Sequence, residues 1–300
     1  MGSIKDWIAA MRLRTLPLSV SGIVIGACFA HYSGRFDGFV FMLAILLTIA
    51  LQILSNLAND YGDGVKGTDN ADRVGPERAV QSGKISRLEM REGIKKCILV
   101  VIFLTVSLIY VAFGFKHFFY AILFLVLGGI AAYSALSYTM GDKPYGYRGL
   151  GDIYVFIFFG LVSVIGSYFL FAKQLDHFVV LPAICIGLLS VGVLNLNNMR
   201  DIESDEKSSK ITLAVKMGRA KAKRYHYFLI VGAIMISMLF SVLYFTSLWN
   251  LLFFISYIPL AIHLVKIRQA NEPKDFDRQL KILALTTFLF ALLLGVGYII

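Results

Sequence analysis

GFVFMLAILLTIALQILSNLANDYGDGVKGTDNADRVGPERAVQSGKIS, residues 38–86, changes character at its middle. The first seventeen residues hold one strongly polar side chain, Gln52, whereas the remainder holds four aspartates, Asp60, Asp63, Asp69 and Asp72, among several lysines and arginines. A helix of about 20 mostly apolar residues spans a bilayer. The first part therefore reads as a membrane helix, and the second as a charged connection emerging from it.

The rest of the chain has the same texture. Hydrophobic residues make up 58% of the 300 residues and charged ones 16%, too apolar a balance for a water-facing surface. The net charge of +10 does not indicate nucleic acid, because the basic residues sit in short blocks between apolar runs. Cys28, Cys97 and Cys185 stand singly, without the spacing of a metal site or a disulfide framework. No cleavable leader is evident, so the first apolar run is read as a spanning helix.

Nine spans are expected: 15–33, 38–58, 93–114, 117–139, 151–172, 178–198, 225–246, 248–267 and 280–300. With the N-terminus cytoplasmic and the C-terminus outside, 26 of the 29 basic residues fall on the inner face, leaving only Arg35, Lys116 and Lys173 outside. This is the asymmetry that membrane loops obey. The expected fold is all-α and polytopic: a single domain over 1–300, with nine helices around a central apolar cavity and a cytoplasmic cap from loops 2–3 and 6–7. Ser86 to Glu89, SRLE, has the pattern of a capping box that starts a cytoplasmic extension of helix 3.

The ends of helices 2 and 6, LSNLANDYGD at 54–63 and LNLNNMRDIESD at 194–205, both turn Asn-rich and then Asp-rich at one membrane face. They suggest two parallel four-helix halves, about 15–139 and 151–267, with 280–300 as a ninth helix. On a helix Asn59 and Asp63 share a face, as do Asn198, Asp201 and Asp205. Hard oxygen donors in small number suit Mg²⁺, which keeps waters and bridges carboxylates to phosphate. The interleaved Lys66, Arg73, Arg78, Lys84, Arg200, Lys207 and Lys210 would be superfluous for a metal alone but suit a metal diphosphate.

These residues carry a resemblance. Asn59-xxx-Asp63 with Asp69, and Asn198-xx-Asp201-xxx-Asp205, resemble the two aspartate-rich motifs of the UbiA superfamily of intramembrane prenyltransferases. NLANDYGDGVKGTDNADRVGPERAVQSG, KPYGYRGLGD and NNMRDIESDEKSSKITLAVKMG look like its menaquinone-type branch. Asp69 follows Asp63 by six positions, where many members have four, and the longer spacing fits that branch. The resemblance implies Mg²⁺-dependent transfer of a polyprenyl group from polyprenyl diphosphate to an aromatic acceptor. The implied acceptor is 1,4-dihydroxy-2-naphthoate, with 4-hydroxybenzoate as the alternative, and the implied setting is the lipid bilayer of a bacterial cytoplasmic membrane. Asn59, Asp63, Asp69, Asn198, Asp201 and Asp205 are then the metal side. Arg14, Asn59, Asp60, Lys66, Arg73, Arg78, Lys84, Tyr138, Lys143, Asn198 and Lys210 contact substrate, and 141–152 completes the pocket.

Two other classes are weighed. A secondary transporter also pairs halves around Asn and Asp sites, but it holds them near the midplane within broken helices, whereas these acids lie at helix ends. A CDP-alcohol phosphotransferase needs an aspartate motif that this sequence lacks. The five histidines, His31, His117, His177, His226 and His263, share no spacing and are expected to pack or to sit at the interface.

Overall fold

The computed structural model describes residues 2–68 and 75–300. Among them are nine helices long and apolar enough to cross a membrane: α1 Ile4–Tyr32, α2 Gly38–Lys66, α3 Arg87–Phe113, α4 Phe118–Ser137, α5 Gly151–Ala172, α6 His177–Arg200, α7 Leu213–Leu243, α8 Leu248–Gln269 and α9 Pro273–Ile299. Each expected span falls on one of them. The metal-motif residue Asp69 and the basic Arg73, together with Asp72, lie outside the described residues.

Local chemistry sets the helix ends. Asp37 accepts from the Phe39 and Val40 amides at 2.8 and 3.1 Å and so starts α2; Gly67, at φ 72°, ends it. Ser86 and Glu89 form the expected reciprocal capping box at the start of α3. α1 begins as a short amphipathic limb, Ile4–Met11, that stops at Arg12. Arg12 has φ 50°, a left-handed conformation that costs a side-chain-bearing residue energy. α2 continues to Lys66 instead of ending near 58, so Asn59 and Asp63 ride on unbroken helix. α7 likewise starts early, at Leu213, and turns at Gly218.

α6 is the centre of the bundle and α4 its lipid-facing edge. In its most apolar stretch α6 is 72% buried, while the corresponding stretch of α4 is 6% buried. α6 packs on α5, α7 and α9, α1 packs on α9, and α2 packs on α3. Where α5 meets α6 the backbones touch: a Cβ on Gly160 would stand 2.6 Å from the Gly187 Cα. This contact lies within a π-helical segment, Phe156–Gly166.

A second close approach matters more for the site. A Cβ on Gly62 would sit 2.5 Å from Thr139 Oγ1 and 2.9 Å from the Thr139 backbone carbonyl carbon. Thr139 Oγ1 donates to the Ala58 carbonyl at 3.0 Å and to Asn59 Oδ1 at 3.2 Å, docking the 4–5 connection onto the last turns of α2. Gly62→Ala should therefore overpack this contact and lower stability by about 1–3 kcal/mol. Gly129→Ala, on α4 with nothing within 4 Å of the new methyl, should be neutral or slightly stabilising. Thermal unfolding in one detergent compares them; equal midpoints for the two variants would refute the close-packing account.

Candidate functional site

α2 and α6 end at the same face of the bundle, each presenting its motif there. On α2, Asp63 accepts a hydrogen bond from the Tyr147 hydroxyl at 2.8 Å, and Thr68 Oγ1 lies 2.5 Å from the same hydroxyl. Tyr147 belongs to the 4–5 connection, whose own carbonyl accepts from the Ile211 amide at 3.2 Å. Lys216 Nζ donates to the Arg148 carbonyl at 2.8 Å. One short loop thus ties the first motif to the segment that follows the second.

Asp60 points away from that face. It is 1% exposed and accepts from the Ala79 and Val80 amides at 3.1 and 3.0 Å. This carboxylate holds the turn after Arg78 and so sets where the Arg78 side chain enters.

On α6, Arg200 reaches Asp201 with two donors, Nε to Oδ1 at 2.8 Å and Nη2 to Oδ2 at 2.7 Å. The short helix Ile202–Lys207 carries Asp205 one turn on, and the Lys210 amide closes on the Asp205 carbonyl at 2.8 Å. Lys210 Nζ stands between the motifs, 3.5 Å from Asp63 Oδ2 and 3.6 Å from Asp205 Oδ1. Burial works against this ammonium, but Asp63 and Asp205 outweigh it and hold its pKa well above the ordinary lysine range. Burial raises the Tyr138 and Tyr147 phenols above theirs, with the Asp63 charge adding to the effect.

Two cavities meet here. A polar one of about 50 Å³ is bounded by Asp63, Asp201 and Asp205 on its acidic side and by Arg12, Arg78 and Lys210 on its basic side. An apolar one of about 390 Å³ runs away from it between α1, α2, α4 and α5, past Leu51, Phe158 and Gly166 to Phe124 and Leu170. Arg12, Asn59, Tyr138 and Asn197 line both. They form a seam where a charged space passes directly into a hydrocarbon-lined one.

Of the residues singled out from sequence, Asn59, Asp63, Arg78, Tyr138, Asp201, Asp205 and Lys210 converge on this mouth. Others stand apart. Arg14 is exposed. Lys66 donates to the Thr139 and Gly141 carbonyls at 2.8 and 2.9 Å. Lys84 is half-exposed and paired with Glu77, and Lys143 is exposed. Asn198 is buried and lines neither cavity, and its neighbour Asn197, four residues before Asp201, lines both. Arg12, Asn197 and Tyr147 were missed. Arg12 sits two residues from Arg14 in the same basic block, and Asn197 adjoins Asn198, so the signal was present but off by one or two positions. His226 and His263 prove to be a buried pair, Nε2 to Nε2 at 2.8 Å, with His263 Nδ1 2.8 Å from Gln279 Oε1. They pack α7 and α8 together away from the mouth.

The donor set fits Mg²⁺. It is carboxylate and amide oxygen, without imidazole or thiolate. No three carboxylates, imidazoles or thiols among the described residues form a close cluster; Mg²⁺ typically takes one or two carboxylates and completes its shell with water and phosphate oxygens.

Known proteins are similar to this chain in sequence and in fold. The chain is 42% identical over 96% of its length to 1,4-dihydroxy-2-naphthoate octaprenyltransferase of Escherichia coli (strain K12), covering 94% of that protein. It is 39% identical over 99% of its length to the protein of the same name from Haemophilus influenzae, covering 96% of it. A UbiA homolog from Archaeoglobus fulgidus bound to GPP and Mg²⁺ has the same fold, with a TM-score of 0.64 at 13% identity over 96% of this chain and 99% of that one. Residues 19–294 match the UbiA prenyltransferase family, and with two motif-bearing helix ends closing on one mouth above an apolar cavity, the chain belongs to that family.

Proposed function

We propose that the protein transfers a polyprenyl group from its diphosphate to 1,4-dihydroxy-2-naphthoate, with loss of the acceptor's carboxylate as CO₂, to give demethylmenaquinol, the hydroquinone form of demethylmenaquinone. The observation that carries the reaction class is the seam: a substrate that is diphosphate at one end and hydrocarbon at the other matches two cavities joined at Arg12, Asn59, Tyr138 and Asn197. The names of the two bacterial relatives support the acceptor. The basic-residue asymmetry supports a bacterial cytoplasmic membrane with the mouth on the cytoplasmic side.

In this reading the allylic carbon–oxygen bond breaks and its electron pair leaves with the diphosphate. Arg12, Arg78 and Lys210 supply fixed positive charge where that negative charge grows. Mg²⁺ held by Asp63, Asp201, Asp205 and Asn59, with Asp69, would add Lewis-acid neutralisation of the leaving group. The Tyr138 ring offers a π-face to the allylic cation at the seam, and the apolar walls keep water from it. The acceptor's ring carbon forms the new carbon–carbon bond. Its carboxylate departs as CO₂, and the electron pair of the broken bond restores the aromatic ring.

An assay of the protein in nanodiscs with farnesyl or longer diphosphates tests this against dihydroxynaphthoate, 4-hydroxybenzoate and no acceptor. Product is expected with dihydroxynaphthoate alone; preference for 4-hydroxybenzoate would overturn the acceptor. EDTA should abolish turnover and Mg²⁺ restore it, and Asp63→Ala or Asp201→Ala should lower kcat on the order of 10²–10³-fold. Turnover that survives chelation would remove the metal from the mechanism. Tyr147→Phe deletes one hydrogen bond to the Asp63 carboxylate and should weaken kcat/KM roughly tenfold or more; an unchanged value would show that Asp63 needs no such support.

A further inference from the structure

Asp277 belongs to neither acidic motif, and it stands on α9, a helix with no side chain at the polar mouth among the described residues. Its neighbour Asp275 caps that helix, accepting from the Asn271 and Glu272 amides at 3.1 Å each. Two residues further on, Asp277 faces a different way. Its Oδ1 accepts a 2.6 Å hydrogen bond from Arg200 Nη1.

Arg200 connects it to the site. The guanidinium is 1% exposed, and its three nitrogens act in three directions: Nη1 to Asp277, Nε and Nη2 to the two oxygens of Asp201, and Nη2 also to Asn197 Oδ1 at 2.8 Å. A planar fork anchored on three sides has one orientation. That orientation sets the plane of the Asp201 carboxylate. It also fixes the Asn197 amide, whose oxygen must face the Arg200 donor, leaving its NH₂ to the seam. The charge is apportioned as well. Asp277 shares the Arg200 cation, so the Arg200 charge is divided between two carboxylates and less of it falls on Asp201. Without Asp277, the buried guanidinium would keep only Asp201 as an ion-pair partner among the described residues and draw that carboxylate to itself.

We propose that Asp277 is a positioning residue of the site: through Arg200 it sets the geometry and effective charge of Asp201 and the orientation of Asn197, and thereby the affinity for the divalent ion. This rests on the reading of the mouth as a Mg²⁺-diphosphate site, and the experiment separates the two. Mn²⁺ binding to the full-length protein in nanodiscs, measured by electron paramagnetic resonance without substrate, is compared for wild type, Asp63→Ala, Asp277→Ala, Asp277→Asn and Asp277→Glu. The Mg²⁺ dependence of turnover and the thermal midpoint are recorded alongside. Asp277→Ala should weaken Mn²⁺ binding and raise the half-saturating Mg²⁺ about tenfold, with turnover at saturating Mg²⁺ falling less than threefold. Asp277→Glu should recover most of the affinity, which a purely structural loss would not show. Asp277→Asn keeps an acceptor oxygen without the charge, and it decides the question if Asp277→Ala does not fold: its Mn²⁺ affinity should fall at least threefold. Wild-type Mn²⁺ affinity in folded Asp277→Asn and Asp277→Ala, with Asp63→Ala impaired, would overturn the proposal and leave the metal site standing. Absence of Mn²⁺ binding in wild type would overturn both.

Discussion

A single ammonium joins the two ends of this protein's chemistry. Lys210 lies within 3.6 Å of a carboxylate from each acidic motif, Asp63 from α2 and Asp205 from the helix after α6. Carboxylates brought together beneath an apolar bundle repel one another and lose hydration, and such a cluster persists only if cations are built into it. The same constraint accounts for Arg200 against Asp201 and for Arg12 and Arg78 at the rim. The mixed signs of the mouth are a condition of its existence as well as a fit to an anionic ligand.

The 4–5 connection is the mechanical counterpart of that ion pair. Thr139 locks to the end of α2, Tyr147 to Asp63, and the backbone at Tyr147 to the segment after the second motif. Tyr145 stacks on Tyr154 with ring centroids 3.9 Å apart and donates to the Ser134 carbonyl at 2.9 Å, which fixes the loop against both of its flanking helices. Glycine at 62 allows this docking, because the loop lies where a side chain would otherwise be.

Much of this was legible in the residues, and the limits have physical reasons. Spanning helices are legible because hydrophobic length and loop charge are one-dimensional properties, and the SRLE capping box is legible because its contacts are three residues apart. Asp63, Asp201 and Asp205 could be found from helical spacing alone. Asp60 could not be told from Asp63 by type; only the tertiary position of Ala79 and Val80 shows that one is a backbone anchor and the other a wall of the mouth. Asn197 and Asn198 differ by one helical position, about 100° of rotation, which a pattern read with uncertain helix phase does not resolve. The His226 and His263 pair spans two helices, so no spacing within one helix could announce it.

The direction of α2 and α6 has a consequence of its own. Both helices deliver their C-terminal ends, at Lys66 and Arg200, to the same mouth. The aligned peptide dipoles of a helix leave a partial negative charge of roughly half an electron at that end, so two backbones add their fields to those of the aspartates. An anion arriving alone meets this potential head-on. One arriving with its countercharge, or after a cation has settled, does not. The backbone therefore reinforces the order of arrival that the aspartates favour, in contrast to phosphate sites built on helix N-termini, where the peptide dipoles attract the anion directly.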